Sequence, residues 1–368
     1  MSNDEKLYTI ALRRSKRIGD ITFHKLIKEF ESAKQAWIEI SKHKNTSITR
    51  VLMDVGNQEH LRTAEKEISY CEKNGIEIIT TSDNNYPELL KNCDDAPAHL
   101  FIKGKLPSTN DYLSVVGTRS ITNYGRQFIE KLFEVLPQHC ISVSGLALGT
   151  DSEVHMHSIK NKIATVAVLA HGFEHFYPKQ NQNLAKEILE NNGSLVTEYL
   201  HFQKPEREMF LQRNRIIAGL SKACIIVESA YGGGSMNTAN FANFYNRDVY
   251  ALPGKIFDKQ SQGCNQLIFQ NKAVAISHIS DLIENLNFSP KNEPYIPDLY
   301  EQAAPQMELE GIQKSIYEAI RSHPMISLDD LAYIIQQSPS VILGHILALE
   351  LQELIKSHSG RTYSVNAR

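Results

Sequence analysis

Three short stretches of this chain place glycine beside hydroxyl or cationic side chains at the ends of apolar runs. They are Leu113–Gly125 (LSVVGTRSITNYG), Ser142–Asp151 (SVSGLALGTD) and Val227–Ser235 (VESAYGGGS). In each, the run breaks at glycine and a helical pattern follows. A strand that stops at glycine and feeds a helix leaves amides unpaired and points the positive end of the helix dipole over the turn, which suits a phosphate. Three such turns form a row of donors for several phosphates. Gly117, Thr118, Arg119 and Ser120 would serve in the first, Ser144 and Gly145 in the second, and Gly233, Gly234 and Ser235 in the third. At any single junction, glycines that only permit a tight turn would read the same way.

Cations fall beside these turns. Arg119 lies in the first loop, Lys179 follows Tyr177-Pro178, and Arg213, Asn214 and Arg215 precede an apolar helical run through Leu220. Arginine forks grip phosphate bidentately, and lysine acts as a point charge. Phe173, Phe176, Tyr177 and Phe210 are nearby rings on which unstacked bases could lie, or core residues. Catalytic patterns are poorer. No GxxxxGK[ST] loop is present, and no strand leads into GxGxxG with an acidic partner. Asp151 and His155 share a helix start, where an acidic residue suits a capping role better than acid–base work. His155 with His157, or His171 with His175, lacks a third metal ligand. The reading is therefore of no enzyme, no cofactor and no metal.

These residues need a scaffold. Strand patterns at Ile76–Thr80, Leu113–Val116, Ile141–Val143, Ala164–Leu169, Ser194–Thr197, Cys224–Val227, Val249–Ala251 and Ala273–Ile276 alternate with helical ones. Near-continuous apolar strands between helices predict an α/β domain with a parallel sheet covered on both faces, over 76–288. Such sheets bind ligands beyond the carboxyl ends of their strands. Residues 1–75 read as short helices only, with Arg13, Arg14, Lys16 and Arg17 just before Ile18-Gly19-Asp20. A helical hairpin of this kind can hold a nucleic-acid backbone without reading its sequence, although a solvated charged face would look alike. A proline-rich linker is expected over 289–306. The tail, 307–368, has three helical patterns and a terminal hairpin, as in a winged helix. Its third helix has no Lys or Arg between Ser338 and Ile355, so it reads as a protein-contact or packing module.

With 42% hydrophobic and 22% charged residues, the composition is that of a globular protein. No apolar run approaches the ~20 residues of a bilayer span, and the start of the chain lacks the pattern of a signal peptide. Five dispersed cysteines without a CxxC pair predict reduced thiols and a cytoplasmic location. A net charge of -3 excludes a globally basic nucleic-acid binder but allows a local basic cleft.

In order, Tyr86-Pro87, Val116-Gly117-Thr118-Arg119, Ser144-Gly145-Leu146-Ala147, Tyr177-Pro178, Arg213-Asn214-Arg215-Ile216-Ile217-Ala218-Gly219-Leu220, Pro253-Gly254 and Gly263 with Asn265 resemble the DNA-processing protein A family (DprA, also called Smf) over nearly the whole chain. The resemblance implies a sterile-alpha-motif-like or helix-hairpin-helix-like N-terminal domain, an extended Rossmann domain and a winged-helix tail. It implies a non-enzymatic protein that binds and protects single-stranded DNA during natural transformation and helps load the RecA recombinase, as a homodimer joined through the Rossmann domain. It also implies that Arg119, Lys179 and the Arg213/Arg215 block hold the strand. Gly149-Thr150-Asp151 and Gly233-Gly234-Ser235 depart from the family's usual wording while keeping the glycines and Asp151. The alternative is a Rossmann-like nucleoside-monophosphate phosphoribohydrolase, which would need a carboxylate close to a glycine-rich turn.

Overall fold

The computed structural model describes residues 3–42, 52, 54–107, 109, 111–288, 311–323, 326–352, 354–358 and 362–365. The expected linker and Gly360-Arg361 of the tail hairpin lie outside them. The chain divides into two compact units, Met1–Glu293 and Pro294–Arg368.

The first unit begins with helices α1 (Asn3–Arg14), α2 (Asp20–Phe30), α3 (Ala33–Lys42) and α4 (Gln58–Lys73). Their apolar faces close around Ile10, Leu12, Phe23, Trp37 and Ile40. That core continues onto Ile78, Phe101 and Leu200, so the bundle is packed against one end of the sheet that follows.

The sheet has nine strands: β1 (Ile76–Thr80), β2 (His99–Gly104), β3 (Tyr112–Val116), β4 (Ile141–Ser144), β5 (Ala164–Val168), β6 (Ser194–Thr197), β7 (Ala223–Ile226), β8 (Asp248–Ala251) and β9 (Val274–Ala275). Their spatial order is β1-β2-β6-β5-β4-β3-β7-β8-β9. From β6 to β9 the pairing is parallel, as the near-continuous apolar strands predict. β2 is the exception. It pairs antiparallel with both β1 and β6, which makes the sheet mixed. Its short apolar run behind Pro97 carries no periodicity that separates strand from helix, and the sequence reading passes over it.

Helices α5 (Glu88–Lys91), α6 (Asn123–Val135), α7 (Thr150–Lys160), α8 (Gln182–Glu190), α9 (Arg207–Leu220), α10 (Gly234–Phe244), α11 (Gln262–Phe269) and α12 (Ile279–Leu286) complete the unit. The chain winds outward from β3 to β6, then returns through α9 to place β7 on the other side of β3. The sheet therefore reverses direction between β3 and β7, where open α/β sheets form their ligand crevice.

The second unit is a winged helix. Helices α13 (Gly311–Ser322), α14 (Leu328–Ile335) and α15 (Pro339–Leu351) pack with a three-stranded sheet of β10 (Ile326–Ser327), β12 (Thr362–Val365) and β11 (Ile355–His358), in that spatial order. Ile316, Ile320, Leu331, Ile342, Ile346, Leu349 and Tyr363 form its core. Among the described residues no single helix is long and apolar enough to cross a membrane.

Candidate functional site

Because β4, β3 and β7 are neighbours, the three glycine-broken junctions stand side by side at the carboxyl edge of the sheet. They are not equivalent, because two of them hold a carboxylate of this chain. In the second, the buried Asp151 accepts the amides of Gly145 and Ala147, both at 3.2 Å. Burial raises its pKa, and the adjacent Arg213 guanidinium draws it back down. The Ser144 hydroxyl is buried on the Val115 carbonyl at 2.8 Å. In the first junction, the buried Glu228 accepts the Thr122 amide at 2.9 Å and the Thr122 hydroxyl at 2.5 Å, at the start of α6. The sequence signal for this was an acidic residue directly after an apolar strand, and the sequence reading did not use it.

The third junction differs. Ser235 turns inward onto Ser229 Oγ at 2.8 Å, yet Gly234 and Tyr231 are exposed. Among the described residues no acidic side chain bonds the amides of this turn.

Two of the expected phosphate ligands are structural. Arg213 is 4% exposed and donates to the carbonyls of Gly145, at 2.6 Å, and of Val168. A Cβ on Gly145 would collide with that guanidinium, so glycine is needed there to let Arg213 pass. Arg215 is 7% exposed and bonds Asp20 at 3.0 Å, Glu198 at 2.5 Å and the Asp95 carbonyl. Burial opposes its charge, but the nearby acidic groups outweigh this and raise its pKa. Asp20 also binds Arg13 at 2.7 Å and the Ala98 amide at 3.0 Å. The Arg213/Arg215 block and Arg13 thus lock the helical bundle, the sheet and the turns together and are not turned to the surface. Ser144, Gly145 and Ser235 are likewise buried.

An exposed cation, an exposed ring and a half-buried ring remain at the surface. The exposed Arg119 lies with its guanidinium 5.6 Å from the Phe210 ring centroid, on the first turn of α9. Phe210 meets Tyr177 edge-to-face at 5.7 Å, and Tyr177 is 45% exposed. The Tyr177-Pro178 peptide is cis, and buried His171 accepts the Tyr177 amide through Nε2 at 3.2 Å. Lys179 stands exposed just beyond, and Thr118 and Ser120 flank Arg119. Asn214, half-buried, reaches the Gly234 carbonyl at 3.3 Å and ties α9 to the third turn. Arg119, Gly145, Leu148, Tyr177 and Phe210 line one shallow pocket. A planar cation beside open ring faces can hold a phosphate and stack a base at once. Phe173 and Phe176, by contrast, pack onto the core.

Asp151 and His155 are both buried and each bonds other groups. His155 is fully buried with Nδ1 on Thr165 Oγ1 at 2.7 Å, and burial, aided by Arg213, lowers its pKa to about 3. Among the described residues no group of three His, Cys, Asp or Glu side chains is placed to hold a metal ion. The buried histidine has a consequence for stability. Its folded pKa lies below its ordinary value, so the unfolded chain binds the extra proton and stability falls as pH drops from about 6.5 toward 3. Urea titrations of the wild type and His155→Leu should differ in slope by ~1.4 kcal/mol per pH unit in that window. Asp151, Glu67 and Glu198, whose pKa values burial raises, act in the opposite sense but cancel in the comparison. Equal slopes would mean that His155 is not buried neutral.

A doubly wound sheet with a helical bundle in one compact unit and a winged helix in the other defines the class of protein, and an exposed cation–aromatic cluster lies at the carboxyl edge of the sheet. The family model described as DNA recombination-mediator protein A matches residues 77–287, and the chain belongs to that family, DprA/Smf. Models of a DprA-like N-terminal HHH domain and a DprA winged helix domain match residues 3–40 and 301–361. The chain is 40% identical to the DNA processing protein DprA of Bacillus subtilis, over 58% of this chain and 72% of the relative. It is 28% identical to the protein Smf of Synechocystis over 99% of both. The structure of DNA processing protein A from Streptococcus pneumoniae superposes with a TM-score of 0.64 and 30% identity, covering 77% of this chain and 98% of that one. A second DprA structure, from Helicobacter pylori, described for its single-stranded DNA binding mode, gives a TM-score of 0.52 at 27% identity, over 57% of this chain and 95% of that one.

Proposed function

We propose that this protein binds single-stranded DNA along the carboxyl edge of its sheet, protects it in the cytoplasm during transformation, and helps load the RecA recombinase onto it without catalysing a reaction. The observation that carries the reading is the open Arg119–Phe210–Tyr177 cluster with Lys179 beside it. Arg119 and Lys179 would take phosphates, the rings would take bases, and Gly117, Thr118, Ser120, Gly233 and Gly234 would bring backbone and hydroxyl groups to the strand. A phosphoribohydrolase would need a carboxylate facing the turn, whereas Asp151 and Glu228 both face inward onto amides. A mobility-shift comparison of single- and double-stranded DNA at stated salt tests the reading. Preference for the single strand is expected. Equal affinity would overturn it, and release of free base from AMP would revive the enzyme.

Homodimerisation through the Rossmann domain is part of the same reading. β9 is an edge strand whose Val274 is 60% exposed, and Phe244 and Phe269, at the ends of α10 and α11, are 69% and 87% exposed. An open edge with large exposed apolar groups is a liability unless a partner covers it. Phe269→Glu should convert a dimer into a monomer by light scattering. A monomeric wild type, or a variant that stays dimeric, would refute this. On the winged helix, Val341, Leu343 and Leu347 are 41%, 43% and 58% exposed, which favours protein contact over DNA reading.

A further inference from the structure

We propose that the seam between the helical bundle and the β6–α9 connection carries a second nucleotide subsite, formed by Arg14, Arg17 and Phe202, that extends the path of the strand beyond the Rossmann turns. The proposal rests on the reading of the Arg119 cluster as a single-stranded DNA site, and it adds a second grip on the same ligand.

Asp20 holds the start of α2 to Arg215 and to the Ala98 amide, so the turn 15–19 stands at the carboxyl edge, next to the tip of β6. Phe202 lies in the connection from β6 to α9, and Phe210 in the first turn of α9, so the two rings flank the start of that helix. Tyr199 ties the connection to α9, its hydroxyl 3.3 Å from both the Met209 carbonyl and Gln212 Oε1. The tips of β3 and β6 are three strand spacings apart, ~14 Å, which a strand of a few nucleotides can cover.

The Arg14 guanidinium lies 6.0 Å from the centroid of the Phe202 ring, which is 41% exposed. This is the Arg119–Phe210 arrangement again, on different elements. Three of the four cations in the run 13–17 have no acidic partner for their side chains among the described residues. Arg13, in the same run, is held by Asp20 and by the Ile18 carbonyl. Arg14, Lys16 and Arg17 form no ion pair among the described residues, and Arg14 Nε is buried with no hydrogen-bond partner. Arg17 and Lys16 are exposed, and Arg17 is in the left-handed region at φ 66°, a conformation uncommon outside glycine that turns up at binding sites. Carboxylates also lie near this path: Glu174, whose amide bonds the His201 carbonyl at 3.0 Å and whose side chain faces the His201 ring at 3.8 Å, the exposed Glu206 and Glu208 between Phe202 and Phe210 in the chain, and Asp54, which accepts the Lys16 amide at 2.8 Å.

Oligonucleotide length separates the two subsites. Fluorescence anisotropy would measure the affinity of the full chain for oligothymidylates of about 2 and about 25 nucleotides, the first below and the second above the range typical of single-strand sites. Phe202→Ala and Arg17→Glu should each weaken the longer ligand about tenfold and leave the shorter one unchanged. Arg14→Gln should lower the salt slope for the longer ligand by about one. Arg119→Ala should weaken both lengths. Arg17 is exposed on a turn, so its variant keeps the test valid if Phe202→Ala fails to fold. Unchanged affinity for the long ligand, or equal losses at both lengths, overturns the second subsite while the Rossmann site stands. A wild type that binds neither length overturns both.

Discussion

Replacing Arg119 with alanine is expected to weaken single-stranded DNA binding by ~2 kcal/mol, about thirtyfold, with no change in the thermal midpoint. The size follows from what is lost together: a charge-assisted bond to phosphate, which contributes ~1.5–3 kcal/mol, and the cation that lies against the Phe210 ring. Stability should be untouched because Arg119 is exposed and, among the described residues, joins no salt bridge. The salt slope should also fall by about one unit, the signature of one phosphate contact removed. Arg119→Lys separates fork from charge: it should restore the slope and only part of the affinity, because an ammonium cannot grip phosphate bidentately. Anisotropy titrations at several salt concentrations decide the matter. An Arg119→Ala protein that binds as tightly as the wild type would remove this cluster from the interface.

Arg215→Ala should do the reverse. Its guanidinium stands between Asp20 and Glu198, whose side chains are each 8% exposed, at 3.0 and 2.5 Å. Removing it leaves two buried carboxylates facing each other with only Arg13 to compensate, and breaking a buried pair on one side typically costs ~3–5 kcal/mol. The unfolding midpoint in urea should fall accordingly, and the protein that remains folded should keep its DNA affinity. The opposite pattern, unchanged stability with lost affinity, would mean that Arg215 turns outward to the strand as the family resemblance implies. The pair of experiments separates two arginines that are alike in sequence and opposite in role.

Much of the architecture was legible in local signals. Glycine-broken apolar runs, helical periodicity and short strand lengths are set by a few neighbouring residues. They placed the order of the bundle, the α/β sheet and the winged helix, along with the three turns at one sheet edge. The family resemblance in Arg213–Leu220 and in Val116–Arg119 is local in the same sense. β2 was not legible, because its run is too short to show a period and its antiparallel pairing is with strands distant in sequence.

The roles of the charged residues were decided only by tertiary structure. Arg119 and Arg215 look equally available in a sequence, but Arg215 meets Asp20 across 195 residues, and burial turns that meeting into a structural lock. Asp151, whose place suggests a helix cap, instead accepts amides of the preceding turn, and Glu228 gives no local sign that it fills another. A side chain's type and spacing state what it can bind. Which partner reaches it first, and whether water is excluded there, depends on contacts that no local stretch contains.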